Sequence, residues 1–379
     1  MRIAYLCTKH PPMDRRVYHK ISKALKKNGH SVINIHPNVQ NIITEDGIQL
    51  LGYPQKPGWL GRIQSFKNAR LAALQAKADI IIAAEPDSLY VALCIKRSIK
   101  KTKSIFDCHE WYGEHFNIRL KSGLYKKIVR TAITFLINRM VKKCAAVISV
   151  NETMSQYYAK HNLCSYAIPS IEDMAPSLDL SVSRSSFVFF GTFCGSAQED
   201  ILLGAAKRLK EQNISARIIV IGGSEDPRSF RQRIAETDLG ESISILSWLP
   251  REQALLKLNE GCAGITRLDM KGFGLPALPN KLFEYMAAGM AVIGSSLNPE
   301  IAKIISEEKC GLSVPDETPE ALAEAIRYLH ENPAICRQMG QNSLRAVQKT
   351  YNWTHYGKLL EEIILKVAHK DDQAANILL

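Results

Sequence analysis

Twice along this chain, short apolar runs of strand length alternate with helical segments, and that repeated alternation restricts the fold more than any other feature. Residues 3–7 form the first run, which ends in a loop holding Pro11 and Pro12. A helix follows with Val17, Ile21, Ala24 and Leu25 on one face, stopped at Asn28 and Gly29. Residues 31–35 read as the next strand, completing the strand, loop, helix, strand unit of a parallel sheet. Runs at 79–84, 104–108 and 145–150 repeat the pattern. Between Pro169 and Ser186 the periodicity gives way to Ser, Asp, Pro and Arg, and at 187–190 a new strand begins with Gly191 at its end. A helix at 201–210, a strand at 216–221 ending in Gly222 and Gly223, and strands at 242–247, 262–266 and Ala291–Ser295 follow. The expectation is an α/β protein of two Rossmann-like, doubly wound parallel-sheet domains, 1–180 and 181–352. A closing helix over 353–379 is expected to pack back toward the first domain. Open α/β sheets bind ligands at the carboxyl ends of their strands, so a central cleft faced by both domains is the expected site.

A chain of 379 residues, 46% of them apolar, can bury two such cores. The apolar run at 3–7 is too short for a signal-peptide core, and no stretch reaches the ~18 apolar residues of a membrane span. Nine scattered cysteines, with no Cys-x-x-Cys, read as reduced thiols without disulfides or structural zinc, which points to the cytoplasm. The net charge of +12 is unevenly spread: residues 1–180 hold 27 Lys+Arg against 13 Asp+Glu, a net of +14, while the remainder holds 22 against 24.

The strongest local signal runs from Leu278 to Ile293. Pro279 suits a first helical turn and Gly289 a helix end, giving a helix of about ten residues that aims its unsatisfied N–H groups out of the sheet. Such a terminus favours an anion, and Lys281 in the first turn adds a point charge, so a diphosphate fits there. Glu284, one turn on, is placed to reach the hydroxyls of an attached ribose. The alternative at this stage is that Lys281 and Glu284 form a solvated helix face.

This segment resembles the donor-site helix of glycosyltransferase family 4, whose Glu-x7-Glu motif runs into a helix of the form Glu-Tyr-Met-Ala-x-Gly. The similarity extends over nearly the whole chain. It takes in the loop Pro11-Pro12-Met13-Asp14-Arg15-Arg16, the run Asp107-Cys108-His109-Glu110, Gly191, Gly222-Gly223, Cys310-Gly311-Leu312 and Tyr351-Asn352-Trp353. The resemblance implies the GT-B arrangement and a retaining, metal-independent transfer of sugar from a nucleotide-sugar donor, of UDP or GDP type, with no further cofactor. It implies a glycan or lipid-linked acceptor, in cell-surface polysaccharide biosynthesis. No Asp-x-Asp run stands where a metal would chelate the diphosphate.

The resemblance also assigns roles. Glu284 matches the second Glu of the motif and would hold the ribose. Pro276 stands where the first Glu belongs, so its place near the sugar would pass to the backbone of Gly272, Phe273, Gly274 and Leu275. The loop from Gly191 and Thr192 to Gln198 lacks the family's clamp of Arg and Lys, leaving Lys281 and Arg267 to neutralise the diphosphate. Gly222, Gly223, Asn280 and Leu282 complete the donor side, with Trp248 and Leu249 at the base. His109 matches the histidine that lines the transferred sugar. On the acceptor side stand Asp14, Arg15, Arg16, Glu110 and Trp111, although Asp14 serves equally as a helix cap and Trp111 as packing.

Residues 119–143, from Arg119 to Lys143, carry eight basic side chains and no acidic one, among Tyr125, Ile128, Val129, Ile133, Phe135, Leu136, Ile137 and Met140. A second run, 96–103, adds five. The expected partner is an anionic membrane surface, at roughly 1 kcal/mol per surface cation, with the protein peripheral on the inner face; a solvated basic face is the alternative. Nucleic acid is not expected, since no recognition motif accompanies the charge. A non-catalytic GT-B subunit supporting another transferase, and a sugar-nucleotide epimerase of similar form, are the competing readings.

Overall fold

In the computed structural model the described residues are 1–115, 123–171, 184–192, 197–223, 227–246, 249–266, 268 and 278–375. They divide into two compact units, Met1–Ser170 with Trp353–Leu379, and Ile171–Asn352.

The first unit is built on β1 (Arg2–Leu6), β2 (Ser31–Pro37), β3 (Ile42–Ile43), β4 (Gln49–Tyr53), β5 (Ile80–Ala83), β6 (Lys103–Cys108), β7 (Ala146–Ser149) and β8 (Ser165–Ala167). They form one sheet in the order β3-β4-β2-β1-β5-β6-β7-β8. All pairs are parallel except β3 with β4. Because helices cover both faces, the strands read as continuous apolar runs. Their side chains still alternate: Ala4, Leu6, Ile81, Ala83, Phe106 and Val147 join one core, and Ile3, Tyr5, Ile80, Ile82, Ile105 and Ile148 the other. The second of these cores is closed by Leu360, Ile363 and Ile364 of the Trp353–Ala375 helix. Each is fully buried, worth about 1.5–3 kcal/mol apiece against exposure.

The second unit holds β9 (Ser186–Thr192), β10 (Arg217–Gly223), β11 (Ile243–Leu246), β12 (Gly261–Ile265), β13 (Ala291–Ser295) and β14 (Gly311–Val314), all parallel, in the order β11-β10-β9-β12-β13-β14. The chain thus forms an α/β fold of two sheets, eight and six strands wide. In each unit the first strand lies inside the sheet and the strand order reverses beside it, at β1 and β5 in one and β9 and β12 in the other.

Three local features differ from the sequence reading. The first helix opens as a π-helix over Arg15–Ser22 before continuing as α over Lys23–Lys27, with the His19 amide donating to the Asp14 carbonyl five residues back. Pro279 is the N-cap of the Asn280–Ala287 helix, with extended backbone, rather than a residue of its first turn. On the Gly123–Val141 helix only Ile137 and Val141 are buried, while Leu124, Tyr125, Ile128, Phe135 and Leu136 are exposed. More of its apolar surface faces outward than packing on the sheet requires.

Candidate functional site

The strand-order reversal in the first unit is already filled by protein. Glu85, just past β5 and 2% exposed, accepts the backbone N–H groups of Thr8, Lys9 and His10 at 2.9, 2.9 and 3.2 Å. Those amides at the end of β1 would otherwise attract an anionic ligand. The chain's own carboxylate takes that place.

Beside Glu85 lies a cluster of ionisable groups. Asp107 on β6 is fully buried and bound by Arg16, whose Nε lies 3.2 and 3.0 Å from its two oxygens and whose Nη2 lies 2.6 Å from Oδ1. The Tyr5 hydroxyl donates to Asp107 as well. Burial alone would push the Asp107 carboxyl up, but the charge of Arg16 and the hydrogen bonds from Arg16 and His109 outweigh it and hold the group well below the usual carboxylate range. His109 sets Nε2 2.8 Å from Asp107 Oδ2 and Nδ1 2.9 Å from His10 Nε2.

These contacts correct the acceptor-side reading. Arg16 is 4% exposed, and with its remaining nitrogen donating to the Ile168 carbonyl at 2.7 Å it is committed to the interior. A guanidinium that anchors a buried carboxylate is a positioning group. Asp14 caps the first helix, its Oδ1 accepting the amides of Arg16 and Val17 at 2.8 and 2.9 Å. Trp111 packs against the core with its ring 5.3 Å from that of Tyr157. Arg15 and Glu110 are exposed.

In the second unit the reversal between β9 and β12 is pinned by Tyr285. Its hydroxyl accepts the Phe190 amide of β9 at 2.7 Å and donates to the Ile265 carbonyl of β12 at 3.0 Å. The ring lies so close to the backbone that a Cβ on Gly264 would fall 2.1 Å from it. Burial pushes the Tyr285 phenol up, so it stays a neutral donor. Next to it, Gly191 and Gly222 pair across β9 and β10 with φ of 129° and 97°, and a Cβ on Gly222 would lie 2.9 Å from the Gly191 carbonyl oxygen. Only glycine serves at such angles without strain.

Lys281, in the first turn of the Asn280–Ala287 helix, lies against Gly191. A Cβ there would fall 1.6 Å from its Nζ, and the ammonium sits 5.5 Å from the centroid of the Phe189 ring. A cation is thereby held at the carboxyl end of the central strand. Pro279 offers the helix no capping side chain. Asn280 is exposed, Leu282 is in the core with its amide donating to the Pro279 carbonyl, and Glu284 is buried on the helix. Gly223 ends β10 opposite Thr192, and Leu249 is half-buried. Trp248, Arg267, Gly272, Phe273, Gly274 and Leu275, and the side chain of Thr192, lie outside the described residues. Sequence reasoning missed His10, Glu85 and Tyr285; only Tyr285 stood in a motif that could have drawn attention to it.

This geometry defines an α/β protein of two parallel-sheet units, and solved structures identify the fold as GT-B. Sucrose-phosphate synthase from Thermosynechococcus elongatus superimposes with a TM-score of 0.72 at 16% identity, over 96% of this chain and 98% of that one. HepE from Anabaena in complex with UDP-glucose gives 0.67 at 14%, over 96% and 99%. WaaG, a glycosyltransferase of lipopolysaccharide biosynthesis, gives 0.65 at 14%, over 95% and 99%. No curated protein matches the sequence. Two family models do: Glycosyltransferase Family 4 over residues 15–168 and Glycosyl transferases group 1 over residues 172–345. The chain belongs to glycosyltransferase family 4 and is an enzyme that transfers sugar from a nucleotide-sugar donor.

Proposed function

We propose that the chain moves a sugar from a UDP- or GDP-sugar to a glycan or lipid-linked acceptor in cell-surface polysaccharide assembly, retaining the anomeric configuration and using no metal ion. The observation that supports this most is the Lys281 ammonium folded over Gly191 at the end of β9, beside a helix start with no capping side chain. A departing nucleoside diphosphate gains negative charge, and a preplaced cation with helix amides stabilises that charge without reorganisation. Glu284 is assigned to the ribose, Leu249 to the base, and His109 to the transferred sugar. HepE, which is bound to UDP-glucose in its crystal structure, supports a uridine donor.

The acceptor reading rests on the Gly123–Val141 helix, where Leu124, Tyr125, Ile128, Phe135 and Leu136 are exposed among Lys126, Lys127, Arg130 and Arg139. Apolar groups that insert and cations that meet anionic headgroups suit peripheral binding at the cytoplasmic leaflet. Among the described residues no helix is long and apolar enough to cross a membrane.

A thermal-shift panel of UDP, GDP and their sugar conjugates tests the donor reading. A ligand at a hundred times its dissociation constant adds about 2.7 kcal/mol, readily seen in Tm. A panel with no shift at millimolar ligand removes the donor assignment.

A further inference from the structure

The positions of His10 and His109 fix where protons lie between them. Asp107 is a carboxylate held by Arg16 and by the Tyr5 hydroxyl, so it can only accept. The His109 Nε2, 2.8 Å from Asp107 Oδ2, therefore carries a hydrogen. In the neutral ring Nδ1 is then an acceptor, and what faces it at 2.9 Å is Nε2 of His10. Two ring nitrogens that close share a proton, so His10 donates from Nε2. The other His10 nitrogen, Nδ1, lies 3.4 Å from Asp14 Oδ2, the oxygen that the helix cap leaves available. His10 thus meets an acceptor on each side and is an imidazolium.

The groups around the pair come from five elements. Tyr5 faces it from β1, Asp14 and Arg16 from the first helix, Glu85 from the cap of the Pro86–Ser98 helix at 3.9 Å, and Asp107 from β6. His36 on β2 donates from Nδ1 to the His10 carbonyl at 3.1 Å, and burial lowers its pKa, so it stays neutral. Three carboxylates against one guanidinium leave a net negative charge that favours a positive charge on the pair.

We propose that His10 and His109 act as one unit holding a single excess proton, with Asp107 fixing the His109 tautomer and His10 as the positioning residue that donates to its Nδ1. Passing the proton along the hydrogen bond breaks His10 Nε2–H and forms His109 Nδ1–H, moving the charge from one ring to the other with nothing oxidised or released. Burial opposes the charge on His10, but its hydrogen bond to Asp14 and the fields of Glu85, Asp14 and Asp107 prevail and raise its pKa. His10 accordingly keeps its charge to higher pH than a lone histidine. This bears on catalysis only through the reading that His109 meets the transferred sugar.

Ring nitrogen-15 NMR of the full-length chain, alongside kcat/KM against pH, tests the proposal on wild type, His10→Gln and His10→Phe. In wild type His109 is the Nε2–H tautomer and the pair releases one proton above the ordinary histidine value of about 6.5. The side-chain amide introduced by His10→Gln still donates to His109 Nδ1 and preserves the tautomer but has no proton to pass, so the alkaline limb of the rate profile moves by about one pH unit or more. His10→Phe also leaves His109 Nδ1 without its donor, and its kcat/KM falls about tenfold or more at every pH. An unchanged His109 titration in His10→Gln overturns the coupling. If instead the NMR result holds while His109→Ala turns over donor normally, the pair stands and the catalytic reading of His109 falls.

Discussion

Replacing Gly191 by alanine should weaken nucleotide binding by the same factor as removing the Lys281 side chain, and doing both should cost no more than either. The added Cβ would lie 1.6 Å from Nζ, 2.0 Å from Cε and 3.0 Å from Cδ of Lys281, so the ammonium has to leave its position over the strand end. A hydrogen bond from a charged group contributes about 1.5–3 kcal/mol, which is about tenfold to 150-fold in dissociation constant. The backbone cost of alanine at φ 129°, of order 1–3 kcal/mol, falls on the folded state with or without nucleotide, so it appears in stability and not in affinity. Calorimetric titration of UDP or GDP, whichever the wild type binds, into Gly191→Ala, Lys281→Ala and the double variant gives the cycle. If the two losses add, Gly191 acts on the nucleotide by another route, and if Lys281→Ala binds as the wild type does, the assignment of Lys281 to the diphosphate is wrong.

Other consequences follow from the same contacts. Tyr285→Phe strands the Phe190 amide and the Ile265 carbonyl, each at about 1–3 kcal/mol, so urea unfolding should show a loss of roughly 2–6 kcal/mol in the second unit; a change under about 0.5 would mean the bridge adds nothing. Asp14 and Asp107 have lowered pKa values, so the stability they provide is present above their ordinary value of 3.8 and is lost as pH falls below it. His10, with its pKa raised, works in the opposite sense, its contribution being complete below 6.5 and lost as pH rises through the raised value. Hydrogen exchange at about pH 3 should therefore open β1 and β6 before β9 and β12; the reverse order would show that these carboxylates do not limit acid stability. The chain should co-sediment with phosphatidylglycerol vesicles at low salt, and Lys126→Ala, Lys127→Ala and Arg130→Ala together should reduce partitioning about a hundredfold, at about 1 kcal/mol per charge. Equal binding to neutral vesicles would remove the electrostatic reading.

Both sheets were legible in the sequence because their inner strands are buried on two faces and read as unbroken apolar runs. The short strands at the margins were not. Gln49–Tyr53 and Ser165–Ala167 are only partly buried, and their sequences carry neither an apolar run nor a clean alternation. Lys281 and Glu284 could be singled out as candidates because a helix start and its first turn are local, and a dozen consecutive residues hold the whole signal. Tyr285 stands in that same segment, but its function depends on amide and carbonyl partners 95 and 20 residues away. No spacing rule reaches that far.

Arg16 and Lys281 show what decides such cases. Each is a cation in the first turn of a helix that follows a strand and a proline, and from sequence both suited an anionic ligand. Arg16 found its anion inside the chain, in Asp107, 91 residues on, at a site with no exposed surface. Lys281 lies against a glycine whose missing side chain is what makes room for it. The same comparison separates the two units, for Glu85 caps the β1 loop with a carboxylate while Pro279, the N-cap of the Asn280–Ala287 helix, makes no side-chain cap. Where a chain meets its own charge, the residue serves the fold. It follows that Glu85→Gln, by removing the internal anion while keeping an acceptor, should let the β1 loop bind sulfate or phosphate that the wild-type first unit excludes. Anion titration followed by backbone amide NMR of Thr8, Lys9 and His10 measures this, and amides that do not respond in the variant would mean that the loop's shape, and not Glu85, keeps anions out.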